Sequence, residues 1–160
     1  MAKINLIYGV GDVLHTHINI NPFDNDADGK LIIRDSVTNI DKHADNAELL
    51  ELIATDVIDY FPVQETEEII AGWMSKIRIG GKIVIGGVDL MEVCKSFSSY
   101  DIDSNFANLL LHGQQKPQYM IKKSSSMALI VASFLQHNGF KVIKKRIQNY
   151  QMIVEAKRQQ

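Results

Sequence analysis

The stretch EIIAGWMSKIRIGGKIVIGGVDL, Glu68–Leu90, sets the architecture expected for this chain. Its first part predicts an amphipathic helix, because apolar residues such as Trp73 and Ile77 recur at the spacing that places them on one face. The pair Gly80–Gly81 is expected to end this helix. The apolar run Lys82–Ile85 follows at once and predicts a strand buried on both faces of a parallel sheet.

Four further apolar or alternating segments predict strands. They are Ile4–Tyr8, His17–Ile20, Leu31–Ile33 and Leu52–Ala54. Strands that alternate with helices are typical of α/β proteins with a mostly parallel sheet and helices on both faces.

The last third of the chain predicts a helix and an antiparallel hairpin. Ser124–Asn138 has helical periodicity, with serines available as N-caps and a glycine after its end. Two β-rich segments, Phe140–Arg146 and Tyr150–Ala156, flank a tight turn at Gln148–Asn149. The segments 43–48 and 98–126 are expected to be rich in loops.

The composition indicates one globular domain spanning residues 1–160. The chain has 160 residues, of which 46% are hydrophobic, and this is enough for a proper core. A net charge of −2 argues against an obligatory nucleic-acid partner. The single cysteine, Cys94, excludes a disulfide framework and favours a reducing, cytoplasmic compartment. No apolar run is long enough to predict a membrane span, and no signal peptide is evident.

Three segments, together with the opening stretch, resemble the small S-adenosylmethionine-dependent methyltransferases. They are INLIYGVG (Ile4–Gly11), LIATDVIDYFP (Leu52–Pro62) and LLLHGQQKPQYMIKKSSSMALIVASFLQHNGFKVI (Leu109–Ile143). The resemblance covers nearly the whole chain. It implies a Rossmann-like methyltransferase fold that lacks the N-terminal helices, with S-adenosylmethionine as cofactor and a small-molecule or glycan as methyl acceptor.

The same resemblance implies roles for individual residues. The cofactor would lie against Tyr8, Gly9, Gly11, Asn21, Asp35, Thr55 and Asp56, and the acceptor would contact Asp89, His112 and Gln114. Asp59 could serve as a catalytic base and Tyr60 could orient the acceptor. Structural alternatives stay open, because Tyr60 could simply pack beside Pro62 and Asp89 could cap the following helix.

Departures from the family pattern support a rival interpretation. Ile7 and Tyr8 stand where the family has a glycine and a small residue, and Asn21 stands where the family has a ribose-binding acid. There is also almost no room for a helix between Gly11 and His17. The rival is a catalytically inactive methyltransferase-like binding or scaffold protein, which could form homo-oligomers through a face that the missing helix leaves uncovered.

A second rival comes from the segment DNDADGKLIIRD, Asp24–Asp35. Its acidic spacing matches a calcium-binding EF-hand loop, with candidate ligands Asp24, Asp26 and Asp28. An EF-hand needs a helix on each side, whereas the flanking segments predict strands. Calcium binding through the three aspartates alone remains an alternative. A zinc site is not expected, because His15 and His17 have no further cysteine or histidine nearby.

Overall fold

The structure, a computed structural model, describes residues 2–23 and 32–160. Its strands are β1 (Lys3–Leu6), β2 (Ile18–Ile20), β3 (Ile32–Ile33), β4 (Leu49–Ala54), β5 (Ile77–Val88), β6 (Phe140–Gln148) and β7 (Gln151–Arg158). They form one sheet in the order β3-β2-β1-β4-β5-β7-β6. The first five strands are parallel, and β7 pairs antiparallel with both β5 and β6. The predicted α/β class and C-terminal hairpin are confirmed.

The helices are α1 (Val63–Lys76), α2 (Leu90–Ser98), α3 (Ser104–His112) and α4 (Ala128–His137). Helix α1 follows Pro62, where a missing N–H group costs no hydrogen bond. It ends at Lys76, earlier than expected, and Ile77 already belongs to β5. The pair Gly80–Gly81 therefore lies inside a strand, where the pairing of β5 with β4 shifts register. The two glycines therefore lie at this register shift and do not cap the helix.

Helix α4 begins with a cap that the sequence analysis did not foresee. Met127 occupies the N-cap position and makes no side-chain cap hydrogen bond. The Oδ2 atom of Asp89 instead accepts a hydrogen bond of 2.8 Å from the backbone N–H of Ala128. The serines at 124–126 are thus not the caps, because a carboxylate from the end of β5 already satisfies this donor.

Helix α3 lies within the segment that was expected to be rich in loops. Its N-terminus is capped by Asp103, whose Oδ1 accepts a 2.8 Å hydrogen bond from the N–H of Phe106. An aspartate three residues before an apolar position is a helix-start signal. The hairpin turn also lies one residue later than predicted, with positive φ angles at Asn149 and Tyr150.

The main core lies on one face of the sheet. Ile4, Leu52 and Ile83 are neighbours across β1, β4 and β5, and all three are fully buried. They form one cluster with Trp73 of α1 and Leu135 of α4. Both helices that pack along the sheet therefore cover the same face.

The opposite face carries a row of charges in the described part of the chain. Glu51 forms ion pairs with Lys3 at 3.4 Å and Lys82 at 2.6 Å, and Glu155 pairs with Lys82 and Lys144 at 3.8 Å each. These ion pairs satisfy the charged groups of this face, because a partly solvated surface must pair its groups with charge or water.

The connection between β1 and β2 is short. The segment 7–17 contains no helix, as the sequence predicted. The buried amide group of Asn19 holds it by bonds of 2.9 Å to the N–H and 3.0 Å to the carbonyl oxygen of Leu14. Asn19 also accepts a hydrogen bond of 2.9 Å from Asn5 on β1.

No helix in the described ranges has both the length and the hydropathy to cross a membrane.

Candidate functional site

A cavity of about 300 Å³ lies at the carboxyl edge of the sheet. Ligands of open α/β sheets bind at this edge. We call it the edge cavity, and its lining residues are Val10, Asp56, Tyr60, Val88, Leu109, Leu110, Gly113, Gln114, Met120, Lys122 and Gln151. Its wall combines apolar side chains with one acidic and one basic group.

Lys122 links two carboxylates beside this cavity. Its Nζ atom lies 3.0 Å from Oδ1 of Asp56 and 3.2 Å from Oδ2 of Asp59. The Lys122 side chain is only 7% exposed, whereas that of Asp56 is 43% exposed. The exposed Asp56 carboxylate is therefore the charged group that an entering molecule meets first.

Asp59 is buried beneath the cavity. It is 1% exposed, and Oδ2 accepts a 3.0 Å hydrogen bond from the N–H of Val88. Burial raises the pKa of its carboxyl group, and the charge of Lys122 opposes that rise. Its Oδ1 atom has no hydrogen-bond partner among the described residues and lies against Gly87. The buried carboxylate thus joins the end of β5 to Lys122, and its role as a catalytic base stays a prediction.

Tyr60 stands in an aromatic cluster that fills the space beside the edge cavity. The cluster consists of Tyr8, Phe23, Tyr60, Phe61 and Tyr119. Tyr8 and Tyr60 stack with ring centroids 4.5 Å apart and an interplanar angle of 14°, and Phe23 stacks on Tyr119 at 3.9 Å. Tyr8 also meets Phe23 and Phe61 edge-on, at 4.8 Å and 5.7 Å. Tyr60 is 3% exposed, and burial raises the pKa of its hydroxyl far above the usual value.

The side chain of Asn21, the expected ribose-binding residue, is hydrogen-bonded to the turn at residues 9–11, which we call the glycine turn. Its side-chain oxygen accepts hydrogen bonds of 3.2 Å from the N–H groups of Gly9 and Phe23. Its amide nitrogen donates to the carbonyl oxygen of Gly9 at 2.9 Å. Asn21 is 1% exposed, so its amide group is not available to a pair of ribose hydroxyls.

The glycine turn itself is covered by the chain. Gly9 has φ of 79°, and a Cβ atom there would lie 2.6 Å from Sδ of Met120 and 3.3 Å from the ring of Tyr119. Gly11 faces Ile7 in the same way, since a Cβ atom there would lie 2.9 Å from the Ile7 side chain. The close approach that glycine permits is used by the protein's own side chains.

Asp35, the expected adenine acceptor, supports the turn that follows β3. Its Oδ1 accepts hydrogen bonds of 2.7 Å from the N–H of Ser36 and the side chain of Asn39, and Oδ2 lies 3.0 Å from Nε2 of His43. The Asn39 hydrogen bond, with that of Ser36, lowers the pKa of Asp35 to about 2. The carboxylate already has partners on both oxygens.

The remaining predicted residues are divided between different places. Asp89 is 1% exposed and accepts hydrogen bonds from the N–H groups of Glu92 at 3.0 Å and Ala128 at 2.8 Å, so it caps α2, as the alternative interpretation expected, and also α4. Its role as a substrate ligand stays a prediction. Gln114 lines the edge cavity, whereas His112 does not. Thr55 lines a separate cavity of about 180 Å³.

The calcium hypothesis falls outside the described residues. Asp24, Asp26 and Asp28 belong to the segment 24–31, which the structure does not describe. Within residues 2–23 and 32–160, no group of three or more histidine, cysteine or acidic side chains is arranged to hold a metal ion.

These observations test whether S-adenosylmethionine fits the position that the sequence analysis assigned to it. Asn21 and Asp35 are hydrogen-bonded within the chain, Met120 covers the glycine turn, and Tyr8 is stacked on Tyr60. In this structure these predicted cofactor residues are therefore engaged with other parts of the chain.

Lys122 is the main site residue that sequence reasoning missed. Its partners, Asp56 and Asp59, lie 66 and 63 positions earlier in the chain, so no local pattern marks it. Its backbone N–H donates to the carbonyl oxygen of His112 at 3.1 Å, which anchors the segment that carries it.

Comparison with known proteins supports the fold and no finer assignment. No protein-family model matches the chain, and no curated protein sequence matches it. A methyltransferase from Archaeoglobus fulgidus superposes with a TM-score of 0.63 at 12% identity, covering 98% of this chain and 86% of that protein. Magnesium protoporphyrin IX methyltransferase from Synechocystis, solved with S-adenosylhomocysteine, has a TM-score of 0.63 at 12% identity over 98% and 74% of the two chains.

A third similar structure was solved with 1,6-didemethyltoxoflavin and S-adenosylhomocysteine bound. It is 1,6-didemethyltoxoflavin-N1-methyltransferase from Burkholderia thailandensis, with a TM-score of 0.61 at 9% identity over 99% of this chain and 72% of that one. The chain therefore has the fold of the class I S-adenosylmethionine-dependent methyltransferases. Identities this low carry the architecture alone, since one fold hosts many activities.

Proposed function

We propose that this protein binds a small molecule in the edge cavity and does not use S-adenosylmethionine at the family's usual position. The observation that carries the proposal is the stack of Tyr8 on Tyr60 at 4.5 Å. Tyr8 follows β1 and Tyr60 follows β4, at the edge of the sheet where the cofactor was expected to lie. The pairing of these two side chains with each other supports the proposal that the chain keeps the methyltransferase architecture without the family's cofactor site.

The edge cavity supports the binding half of this proposal. Its volume of about 300 Å³ stands at the lower end of the range for small-molecule sites. Apolar walls formed by Val88, Leu110 and Met120 surround the polar groups of Asp56, Lys122 and Gln114. Convergent polar groups in an apolar pocket are the usual features of such a site.

Methyl transfer to a small-molecule or glycan acceptor is the second candidate function. The specific observation in its favour is that proteins of this fold are solved with S-adenosylhomocysteine bound, two of them at TM-scores of 0.61 and 0.63. For this function the Tyr8 ring would have to leave Tyr60, and Asn21 would have to release Gly9.

Calorimetric titration with S-adenosylmethionine and S-adenosylhomocysteine separates the two candidates. We expect no binding to the chelator-treated protein at millimolar cofactor. Micromolar binding would overturn the proposal and establish the second candidate, whose acceptor could then be sought by mass gain. The Tyr8→Gly variant tests whether the aromatic stack is the obstacle, and Tyr100→Gly, which removes a 94% exposed tyrosine, is the matched control.

Methyl-labelled NMR spectroscopy tests where small molecules bind. We expect a fragment mixture to shift the methyl signals of Val88, Leu110 and Met120, which line the edge cavity. Shifts confined to Leu14 and Ile53, which line the separate 180 Å³ cavity, would contradict the assignment.

A further inference from the structure

We propose that the ligand of the edge cavity is a small amine, whose ammonium group is held by the carboxylate of Asp56 while its apolar body lies against the cavity wall. This inference rests on the proposed function, because it names the chemical class of the molecule bound there.

The charges around the cavity favour a cation. Two carboxylates, Asp56 and Asp59, share the single ammonium group of Lys122 at 3.0 and 3.2 Å. Asp56 and Lys122 are the only charged residues in the cavity lining of the described chain. One buried cation is therefore shared by two acidic groups. A cationic ligand at Asp56 would supply a second positive charge, so that each acidic group would have its own counter-charge.

Accessibility determines which charge the ligand meets. Lys122 directs its ammonium group at the two carboxylates and is 7% exposed, so an incoming anion finds this group already engaged. An anion would also have to approach the Asp56 carboxylate, which is 43% exposed. A hydrogen bond between an ammonium group and a carboxylate is a charge-assisted interaction, stronger than a neutral one.

The site is held in place by the backbone. Asp56 has φ of 55°, a left-handed conformation that aspartate tolerates, and its N–H donates to the carbonyl oxygen of Gly86 at 3.1 Å. The N–H groups of Lys123 and Ser124 donate to the carbonyl oxygen of Asp59 at 2.7 and 3.1 Å. The first bond ties Asp56 to β5, and the other two tie Asp59 to the segment that carries Lys122, so the site is preorganised.

The cavity wall suits the apolar part of an amine. Val88, Leu109, Leu110 and Met120 supply aliphatic surface to the cavity lining. The Tyr60 ring is 3% exposed and is engaged with Tyr8 and Lys122, so the aliphatic side chains are the surface on which the apolar part of the ligand would lie.

Three probes with the same carbon skeleton test the inference. They are 3-methylbutylamine, 3-methylbutan-1-ol and 3-methylbutanoate, titrated into the methyl-labelled protein at neutral pH. We expect the amine to shift the signals of Leu110 and Met120 with an affinity at least about ten-fold above that of the alcohol, as one charge-assisted hydrogen bond implies. The carboxylate probe should bind more weakly than either.

The Asp56→Asn variant identifies the group responsible. Asparagine keeps the shape and tolerates a positive φ, so the fold should persist. We expect this variant to bind the amine no better than the alcohol while the alcohol's affinity is unchanged. Asp101→Asn, which removes an exposed carboxylate outside the cavity lining, should keep the full preference.

The outcomes separate this inference from the proposed function. Equal affinity for amine and alcohol in the unmodified protein overturns the inference and leaves small-molecule binding intact. Absence of amine binding at tens of millimolar also overturns it, whatever the alcohol does. Micromolar binding of S-adenosylmethionine, in contrast, overturns the proposed function through the separate titration.

Discussion

The side-chain amide of Asn21 is hydrogen-bonded to both backbone groups of Gly9, at 3.2 Å to the N–H and 2.9 Å to the carbonyl oxygen. The residue after β2 thus closes the glycine turn after β1. An amide can both accept from and donate to the backbone, whereas an ionised carboxylate can only accept.

Replacing Asn21 with aspartate should therefore destabilise the protein. The carboxylate cannot donate to the carbonyl oxygen of Gly9 and would leave a buried acceptor without its partner, at a cost of about 1–3 kcal/mol. Urea denaturation at pH 7 measures the loss. Asn105→Asp, at an exposed position in the first turn of α3, should change the free energy of unfolding by no more than about 0.5 kcal/mol. An unchanged stability of Asn21→Asp would show that these hydrogen bonds do not hold the turn.

The Tyr8–Tyr60 stack should appear as an interaction free energy. A double-mutant cycle with Tyr8→Leu and Tyr60→Leu is expected to give a coupling of about 0.5–1.5 kcal/mol, the range for aromatic pairs. Thermal or urea unfolding of the four proteins provides the values. A second cycle, of Tyr8→Leu with Tyr100→Leu, is the control and should be additive within about 0.5 kcal/mol. Additivity in the first cycle would mean that the stack contributes nothing.

Gly87 should not tolerate a side chain. A Cβ atom at this position would lie 2.7 Å from Oδ1 of the buried Asp59, so Gly87→Ala should cost about 1–3 kcal/mol of stability. Gly72→Ala is a control with the opposite sign. Nothing lies within 4 Å of a Cβ atom at Gly72, which is inside α1, so alanine there should stabilise by about 0.5–1 kcal/mol. Chemical denaturation measures both, and equal effects would contradict the crowding at Gly87.

Lys122→Met should be the most damaging of these changes. It leaves the buried Asp59 carboxylate without its counter-charge, which typically costs about 3–5 kcal/mol. Lys123→Met removes an exposed lysine one position later and should have little effect.

The loss in Lys122→Met should also depend on pH. Burial raises the pKa of Asp59 in the folded protein, so the ionised carboxylate opposes folding at pH values above its unfolded pKa of about 4. The penalty of the variant should shrink as the pH falls toward that value and the carboxyl group becomes protonated. A loss that does not change between pH 7 and pH 4 would indicate that packing, and not charge, is responsible.

Asp35 should show the opposite pH dependence. Hydrogen bonds from Asn39 and Ser36 lower its pKa to about 2 in the folded protein, against about 3.9 in the unfolded chain. Its ionised form therefore stabilises the fold above pH 4, and this contribution is lost as the pH falls toward 2.

Asp35→Asn should accordingly be less stable than the parent protein at pH 7, with a difference that narrows below pH 4. Urea denaturation at pH 7, 5, 4 and 3 follows the trend. Asp45→Asn, at an exposed position, should show no such trend. A difference between Asp35→Asn and its parent that is constant with pH would contradict the assigned role of the carboxylate.

Local patterns in the sequence were sufficient for the architecture. Trp73 marked the buried face of α1, the apolar run after Gly81 marked β5, and the turn near Asn149 marked the hairpin. These elements depend on residues two to four positions apart, and the sequence shows such spacings directly. The boundaries moved where long-range pairing intervened, as when β5 extended back to Ile77 to pair with Leu49.

The candidate site depends on contacts between residues that are far apart in the sequence, so no local spacing predicts them. Asp89 caps a helix that begins 39 positions later, Lys122 joins acids more than 60 positions earlier, and Asn21 closes the turn at Gly9. Each of these side chains lies at a place where the sheet brings distant segments together. A buried polar group takes whichever partner the fold puts within reach, because leaving it unpaired costs more than any local preference gains. The residue types at these positions were visible in the sequence, but their partners were set by the packing of the sheet.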